Sequence, residues 1–329
     1  MIDKQELLRL YNLDLDELLK LSSKYVKDEI EFCSLINARN GKCSQNCKYC
    51  AQSSHYRTHI DSYPLVKIEE VRKAALDAKS HKASRFAIVT SGKTPDESDF
   101  DKMLEMIKEI NKIEGLNSCA SIGILNEEQA KKLAQSGLKR FHHNINTAKS
   151  YYPEVCTTHT WQDRLDTCKL VKKYGMELCC GVILGMGESV EQRVEMALEL
   201  AEIQPNSIPI NILMPIPETP FENYLDKIDE ENVLRTLAIF KIANPNSILR
   251  FCGGRMRLSE ENQRKALNTC VEGIMVGNYL TTIGKNPDDD IKTVHHHFFL
   301  DNRHGYIILY LDGRLSEKGG KETFRCCQV

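Results

Sequence analysis

The sequence predicts an α/β protein: a (β/α)8 TIM-type barrel with an N-terminal helical extension and an irregular C-terminal tail. Three observations carry that prediction. Short apolar or β-rich runs alternate with longer charged amphipathic segments along most of the chain, there are eight such runs, and no internal repeat or low-complexity linker divides them. At 329 residues the chain is long for one domain, but α/β barrels of about 250 residues or more are common. Eight repeats favour a closed barrel over an open doubly wound sheet, and a barrel places its site in the loops that follow the strands. The expected division is a helical extension at 1–31, the barrel at 32–286 and a tail at 287–329.

Taken in order, the first 30 or so residues carry Leu7, Leu8, Leu10 and Tyr11, then Leu15, Leu18, Leu19 and Leu21, at helical spacing; they read as one or two amphipathic helices forming a lid. The expected strands are 32–38, 85–90, 118–122, 140–145, 176–182, 207–213, 248–251 and 274–276. Between them fall expected helices at 68–78, 100–113, 127–135, 162–173, 190–203, 230–243 and 260–271. Ser189-Val190-Glu191-Gln192 fits a capping box, and Gly137, Gly175 and Gly273 stand where helix C-caps belong. The tail breaks this rhythm with Asp288 to Asp290, a solvent-facing His295 to His297 run, an apolar stretch at Tyr306 to Tyr310 and a terminal Cys326-Cys327.

Lys and Arg number 44 against 46 Asp and Glu, a net charge of −2, which leaves no electrostatic footprint for nucleic acid or an anionic membrane. Hydrophobic residues make up 41%, enough for a sizeable core. No apolar run approaches the roughly 20 residues of a membrane span, and Met1 to Glu6 lacks the apolar core of a signal peptide. The expected location is the cytoplasm. There thirteen cysteines point to metal ligation or redox chemistry, because disulfides are rare in a reducing compartment.

The sharpest motif is Cys43-Ser-Gln-Asn-Cys47-Lys-Tyr-Cys50, directly after the first expected strand. Three soft thiolates on one compact loop can bind three irons of a cubane cluster and leave the fourth iron open to a substrate. A zinc site normally takes four closed protein ligands, and incidental cysteines are the blander alternative. This spacing resembles the signature of the radical S-adenosylmethionine enzymes, and Tyr49 before the last cysteine is typical of it. The resemblance implies a 4Fe-4S cluster on Cys43, Cys47 and Cys50 whose open iron chelates S-adenosylmethionine and cleaves it reductively.

A narrower resemblance, to the biotin synthase family, runs from about residue 30 to 290. It rests on Cys43 to Ser54, Phe141-His-His-Asn-Ile-Asn-Thr147, Gly181-Val-Ile-Leu-Gly-Met-Gly-Glu188, Pro209-Ile-Asn211, Arg250-Phe-Cys-Gly-Gly-Arg255 and Asn278 to Thr282. It implies that Thr90-Ser91-Gly92 meets the methionine end of S-adenosylmethionine and that the 181–188 stretch, with Gly185 and Glu188, meets its adenine side. Tyr49 and Asn146 join the cofactor contacts, Asn144 meets both a cofactor ribose hydroxyl and the substrate ureido ring, and Asn211 faces that ring. Asn211 is the more pointed of those two, because an amide inside an apolar strand needs a partner.

The family's sulfur donor is usually a 2Fe-2S cluster held by three cysteines and an arginine, and the matching positions here are Ala87, Cys119, Cys179 and Arg250. One cysteine is missing. Residues two apart on a strand share a face, so Cys252 joins Arg250 inside the barrel, and Cys33 on the first strand supplies a fourth thiol. A larger auxiliary cluster of 4Fe type on Cys33, Cys119, Cys179 and Cys252, with Arg250 displaced to a supporting role, is the favoured expectation; small buried hydrophobes are the alternative. Cys180 should face the helices, while Cys156, Cys168 and Cys270 read as packing residues.

The resemblance implies conversion of dethiobiotin to biotin, an electron donor of flavodoxin or ferredoxin type, supply by iron-sulfur assembly machinery, and a homodimer. A related radical enzyme, hydrogenase-maturase-like or amino-acid-mutase-like, would share the cysteine loop without needing Asn144, Asn211 and the barrel thiols. A non-catalytic iron-sulfur carrier is the alternative from another class.

Overall fold

The computed structural model describes residues 2–27 and 30–276. Its order begins with α1 (Lys4–Tyr11), α2 (Leu15–Ser22), β1 (Glu31–Arg39), α3 (Ile68–Ser80), β2 (Arg85–Thr90), α4 (Glu97–Asn111), β3 (Asn117–Ser121), α5 (Glu127–Gln135) and β4 (Arg140–His142). It continues with α6 (Tyr152–Val155), α7 (Trp161–Lys173), β5 (Glu177–Cys179), β6 (Val182–Leu184), α8 (Val190–Ile203), β7 (Ser207–Ile212), α9 (Glu230–Ala243), β8 (Ile248–Phe251), α10 (Glu260–Thr269) and β9 (Gly273–Met275). All strand pairings are parallel, in the order β5-β4-β3-β2-β1-β9-β8-β7-β6, and a β5–β7 pairing closes the ring. With β5 and β6 as two ends of one interrupted strand, this is an eight-stranded barrel surrounded by helices.

The interruption has a local cause. A Cβ on Gly181 would stand 2.0 Å from the Pro209 carbonyl oxygen, so only glycine lets the two backbones come so close. Pro209, which has no N–H for a ladder, falls opposite that gap. On the other side Asn146 turns left-handed (φ 68°), its N–H donating to the Gly181 carbonyl and its carbonyl accepting from Ile183. That turn ends β4 at His142, three residues short of the expected strand.

Helix boundaries follow the caps. Ser189 and Gln192 form the expected capping box of α8, and Gly137 (φ 84°) and Gly175 (φ 74°) terminate α5 and α7 left-handed. Gly273 does otherwise: α10 ends at Cys270, and Gly273 opens β9, where its missing Cβ makes room for the Arg250 side chain.

The N-terminal helices are no lid. They bury Leu7, Leu10, Leu18 and Leu19 and pack outside the barrel on α8 and α9. Tyr11 donates to Asn232, and Arg235 donates to the Tyr11 and Leu13 carbonyls. The apolar face that suggested a lid is spent on those helices. No helix among the described residues is long and apolar enough to cross a membrane. The tail from 287, with His295 to His297 and Cys326-Cys327, and the Asn278 to Thr282 stretch lie outside the described residues.

Candidate active site

At the N-terminal ends of the strands the barrel is plugged by charge. Glu31 on β1 accepts from Arg85 at 2.6 Å and Arg140 at 2.8 Å and also meets Arg250, while Glu177 meets Arg140 at 2.8 Å and Arg85 at 3.0 Å. Burial alone would raise the Glu31 carboxyl, but Arg250, Arg140 and Arg85 hold it well below the usual carboxylate range. Arg140 is almost fully buried, so the network exists because unpaired charges there would be costly.

Above the plug lies a cavity of about 400 Å³, walled by β1 to β9 and by the loops that follow them. Cys43, Cys47, Tyr49 and Cys50 line its mouth, and the loop is fixed by its own backbone: Cys43 N–H donates to the Gln52 carbonyl at 2.9 Å, Ser54 N–H to the Cys43 carbonyl at 2.7 Å and Cys50 N–H to the Cys47 carbonyl at 3.0 Å. Asn146 donates to the Tyr49 hydroxyl at 2.9 Å, joining the loop to the end of β4.

Thr90, Ser91 and Gly92 line the same cavity. Ser91 donates to the Gly41 carbonyl at 2.7 Å, whereas the buried Thr90 hydroxyl has no hydrogen-bond partner among the described residues, which a ligand group would supply. At Gly92 (φ 115°) a Cβ would meet the Arg39 guanidinium at 2.8 Å.

The asparagines behave differently from one another. Asn144 accepts from Gly181 N–H at 3.0 Å through Oδ1, and its Nδ2 has no partner among the described residues while the side chain lines the cavity. Asn211 also lines it, but it donates to the Val182 carbonyl at 3.2 Å and accepts from Gly253 N–H at 3.0 Å. It thereby staples β6 to the turn after β8, with one amide N–H and one oxygen lone pair still uncommitted toward the cavity. Gly185 and Glu188 do not line the cavity. The buried Glu188 carboxylate accepts from Gly185 N–H at 2.9 Å, Met186 N–H at 2.8 Å and Arg193 at 3.1 Å, so it holds the loop together.

Cys179 and Cys252, the latter just past the end of β8, line the cavity with Arg250, while Cys33 and Cys119 are buried nearer the strand starts. Burial raises the thiols of Cys119 and Cys252 to about 11 and pushes Cys179 up further, Cys179 lying close enough to Cys252 and Cys119 to feel both. Arg250 donates to Ser207 at 2.7 Å, contacts Glu31, and sits against the Cys33 sulfur. Ala87, opposite Cys119 across β2 and β3, packs there as a methyl. Cys180 meets Cys168 of α7 at 3.8 Å, on the helix side as expected, and Cys270 packs beside Ser22.

Two features were not read from the sequence. Arg164 on α7 lines the cavity as a half-buried cation, donating to the Tyr152 hydroxyl at 2.7 Å and the Asn144 carbonyl at 2.9 Å. An arginine within an amphipathic helix gives no sequence signal of facing inward. Cys156, expected to be mere packing, lies 3.6 Å from the Cys47 sulfur and 3.2 Å from His159 Nδ1. Burial, with Arg140 and Arg85 nearby, takes His142 of the cavity wall down to about 3, so it is a neutral imidazole at physiological pH.

Among the described residues, only Cys47, Cys156 and His159 have three ligand atoms within 4.8 Å of one another. Neither the loop thiols nor the barrel thiols are gathered as one ion would require, and a multi-iron cluster spreads its thiolates further apart.

Comparison with known proteins agrees with this arrangement. Residues 39–201 match the Radical SAM superfamily and residues 209–297 the Biotin and Thiamin Synthesis associated domain. The biotin synthase of Acetivibrio thermocellus is 44% identical over 275 residues, covering 84% of this chain and 85% of that protein. That of Pelotomaculum thermopropionicum is 41% identical over 297 residues, covering 88% and 92%. The crystal structure of the FeFe-hydrogenase maturase HydG superposes with a TM-score of 0.78 at 18% identity, covering 90% of this chain and 71% of that one, a likeness of fold. Barrel, cysteine loop and both relatives agree: the chain belongs to the biotin synthase family of the radical SAM superfamily.

Proposed function

We propose that this chain converts dethiobiotin to biotin by radical sulfur insertion, with Cys43, Cys47 and Cys50 holding a 4Fe-4S cluster and S-adenosylmethionine bound beside it. The observation that carries this reading is a single cavity with three loop thiols at its mouth and further barrel thiols lining it. The C–H bonds to be replaced are too strong for acid or base catalysis; the bound cofactors supply reductive cleavage to a carbon radical and a transferable sulfide.

The chain's own residues bind and orient. Arg164 is a half-buried cation lining the cavity, suited to the carboxylate of S-adenosylmethionine. The unpaired Thr90 hydroxyl and the Asn144 amide N–H offer hydrogen bonds to polar groups of the ligands. Ser91 and Gly92 keep that wall in place, and Tyr49 with Asn146 ties the loop to β4. Asn211 faces the cavity with a spare amide N–H and lone pair for the substrate ureido group, while Glu188 holds the 185–188 loop in shape.

For the sulfur source we favour an auxiliary cluster of 4Fe type on Cys33, Cys119, Cys179 and Cys252. Ala87 cannot ligate, which argues against the usual 2Fe-2S set, and Arg250, anchored by Glu31 and Ser207 beside Cys33, is a positioning residue. The rest of the reading is a barrel domain at 32–286 with an extension at 1–31, a reducing cytoplasmic setting suited to free thiols, a flavodoxin- or ferredoxin-type donor, iron-sulfur assembly machinery and a homodimer.

Anaerobic turnover with dethiobiotin, S-adenosylmethionine and a reductant tests it. Biotin should form with about two deoxyadenosines per biotin, one cleavage for each C–S bond made, and Cys47→Ala should yield neither product. Deoxyadenosine without dethiobiotin-dependent biotin would favour another radical enzyme of the superfamily, and no cleavage at all would favour a carrier.

A further inference from the structure

The cysteine loop has a second set of potential ligands packed against it. Cys156, which caps the end of α6, and His159, just before α7, are both buried and face Cys47. The Cys47 and Cys156 sulfurs are 3.6 Å apart and the Cys156 sulfur is 3.2 Å from His159 Nδ1. Tetrahedral zinc with Zn–S of about 2.3 Å and Zn–N of about 2.0–2.1 Å separates two sulfurs by about 3.8 Å and sulfur from nitrogen by about 3.5 Å. All three separations lie within a few tenths of those values or within the 4.8 Å limit of the triad. The other close thiol pair, Cys168 and Cys180 at 3.8 Å, has no imidazole beside it in any comparable group.

The turn is also built to stay there. Asn46, inside the cysteine loop, accepts from Thr157 N–H at 3.0 Å, Thr158 N–H at 3.2 Å and the Thr158 hydroxyl at 3.1 Å, and donates to the Thr157 hydroxyl at 2.7 Å. Lys48 N–H donates to the Val155 carbonyl at 3.0 Å; Gln45 Oε1 accepts from His159 Nδ1–H at 2.9 Å, a bond that an ion on that nitrogen would displace as the ring takes its Nε2–H tautomer. The Asn46 and Lys48 bonds hold the turn that carries Cys156 and His159 against Cys47.

We propose that in the cluster-free chain Cys47, Cys156 and His159 form a mononuclear site for a borderline divalent ion of the zinc class. Binding exchanges two thiol protons for one ion, with no change of oxidation state. Two sulfurs and a nitrogen suit zinc, which at such donors outranks ferrous iron. Because Cys47 belongs to both sites, the ion and the loop cluster exclude one another, a consequence that rests on the cluster assignment above; the ion site itself does not.

The test is zinc titration of the reduced, iron-stripped full chain against a chromophoric chelator, followed by X-ray absorption at the zinc edge. Cys156→Ser and His159→Gln should each hold one tight zinc fewer than the parent, weakened at least about 100-fold, while Cys43→Ser and Cys50→Ser should match the parent. Absorption should show imidazole scattering that His159→Gln loses. Equal zinc content in the parent and both triad variants would overturn the proposal, as would loss that follows Cys43 and Cys50 instead. X-ray absorption of the parent needs no variant to fold: zinc with sulfur ligands and no imidazole contradicts the triad. Cluster assembly is read separately by visible absorption without zinc, where Cys43→Ser should fail and Cys156→Ser succeed, so the cluster assignment stands or falls apart from the ion site.

Discussion

Asn211 shows what a single residue type can and cannot tell. An amide in an apolar strand must find a partner, but the sequence does not say whether that partner is a ligand or the chain, and here both ends of the carboxamide go to backbone. Asn211→Ala should therefore cost about 1–3 kcal/mol of stability, seen as a lowered melting temperature of the cofactor-free chain; an unchanged melting temperature would contradict the stapling role. Glu188 likewise finds three partners within five residues, a local role the sequence does not separate from ligand contact. The cysteine loop was legible because Cys-x3-Cys-x2-Cys is a local pattern set by its chemistry, whereas Arg164 and the Cys156–His159 turn reach the site only through folding.

Elements with clear local punctuation were legible to the residue. The ranges of α5, α8 and α9 match the expected helices, and Asn126, Ser189 and Asp229 cap them with side-chain acceptors. The fourth and fifth strands were not, because the left-handed turn at Asn146 and the Gly181–Pro209 approach are contacts between distant segments. The outer face of α8 carries a titrating group. Burial, reinforced by the neighbouring Glu195, pushes Glu199 up to about 8, although Lys149 N–H donates to it at 2.9 Å. A carboxyl raised in the folded state favours folding most when protonated, so its contribution is complete below about pH 4 and is lost as pH rises toward 8. Glu199→Gln should accordingly stabilise the protein about 1–2 kcal/mol more at pH 8.5 than at pH 5.5. Melting curves at the two pH values would contradict this if the gain were equal or larger in acid.

For the whole molecule, closed parallel topology gathers loop thiols and barrel thiols around one cavity, over a plug of Glu31, Glu177 and three arginines. The barrel was readable from eight repeats; the plug was not, since its members are scattered from residue 31 to 250 and only strand pairing unites them. The central claim is that this one cavity serves a radical cluster and a separate sulfur-donating cluster on four thiols. Iron and acid-labile sulfide per chain, with Mössbauer spectra, on the reconstituted protein and on Cys33→Ala and Cys252→Ala test it most directly. The account predicts about eight irons in the parent, falling toward four in the variants while the loop cluster survives. About six irons unaffected by either change would restore a 2Fe-2S donor, and only about four in the parent would remove the sulfur source and contradict the account.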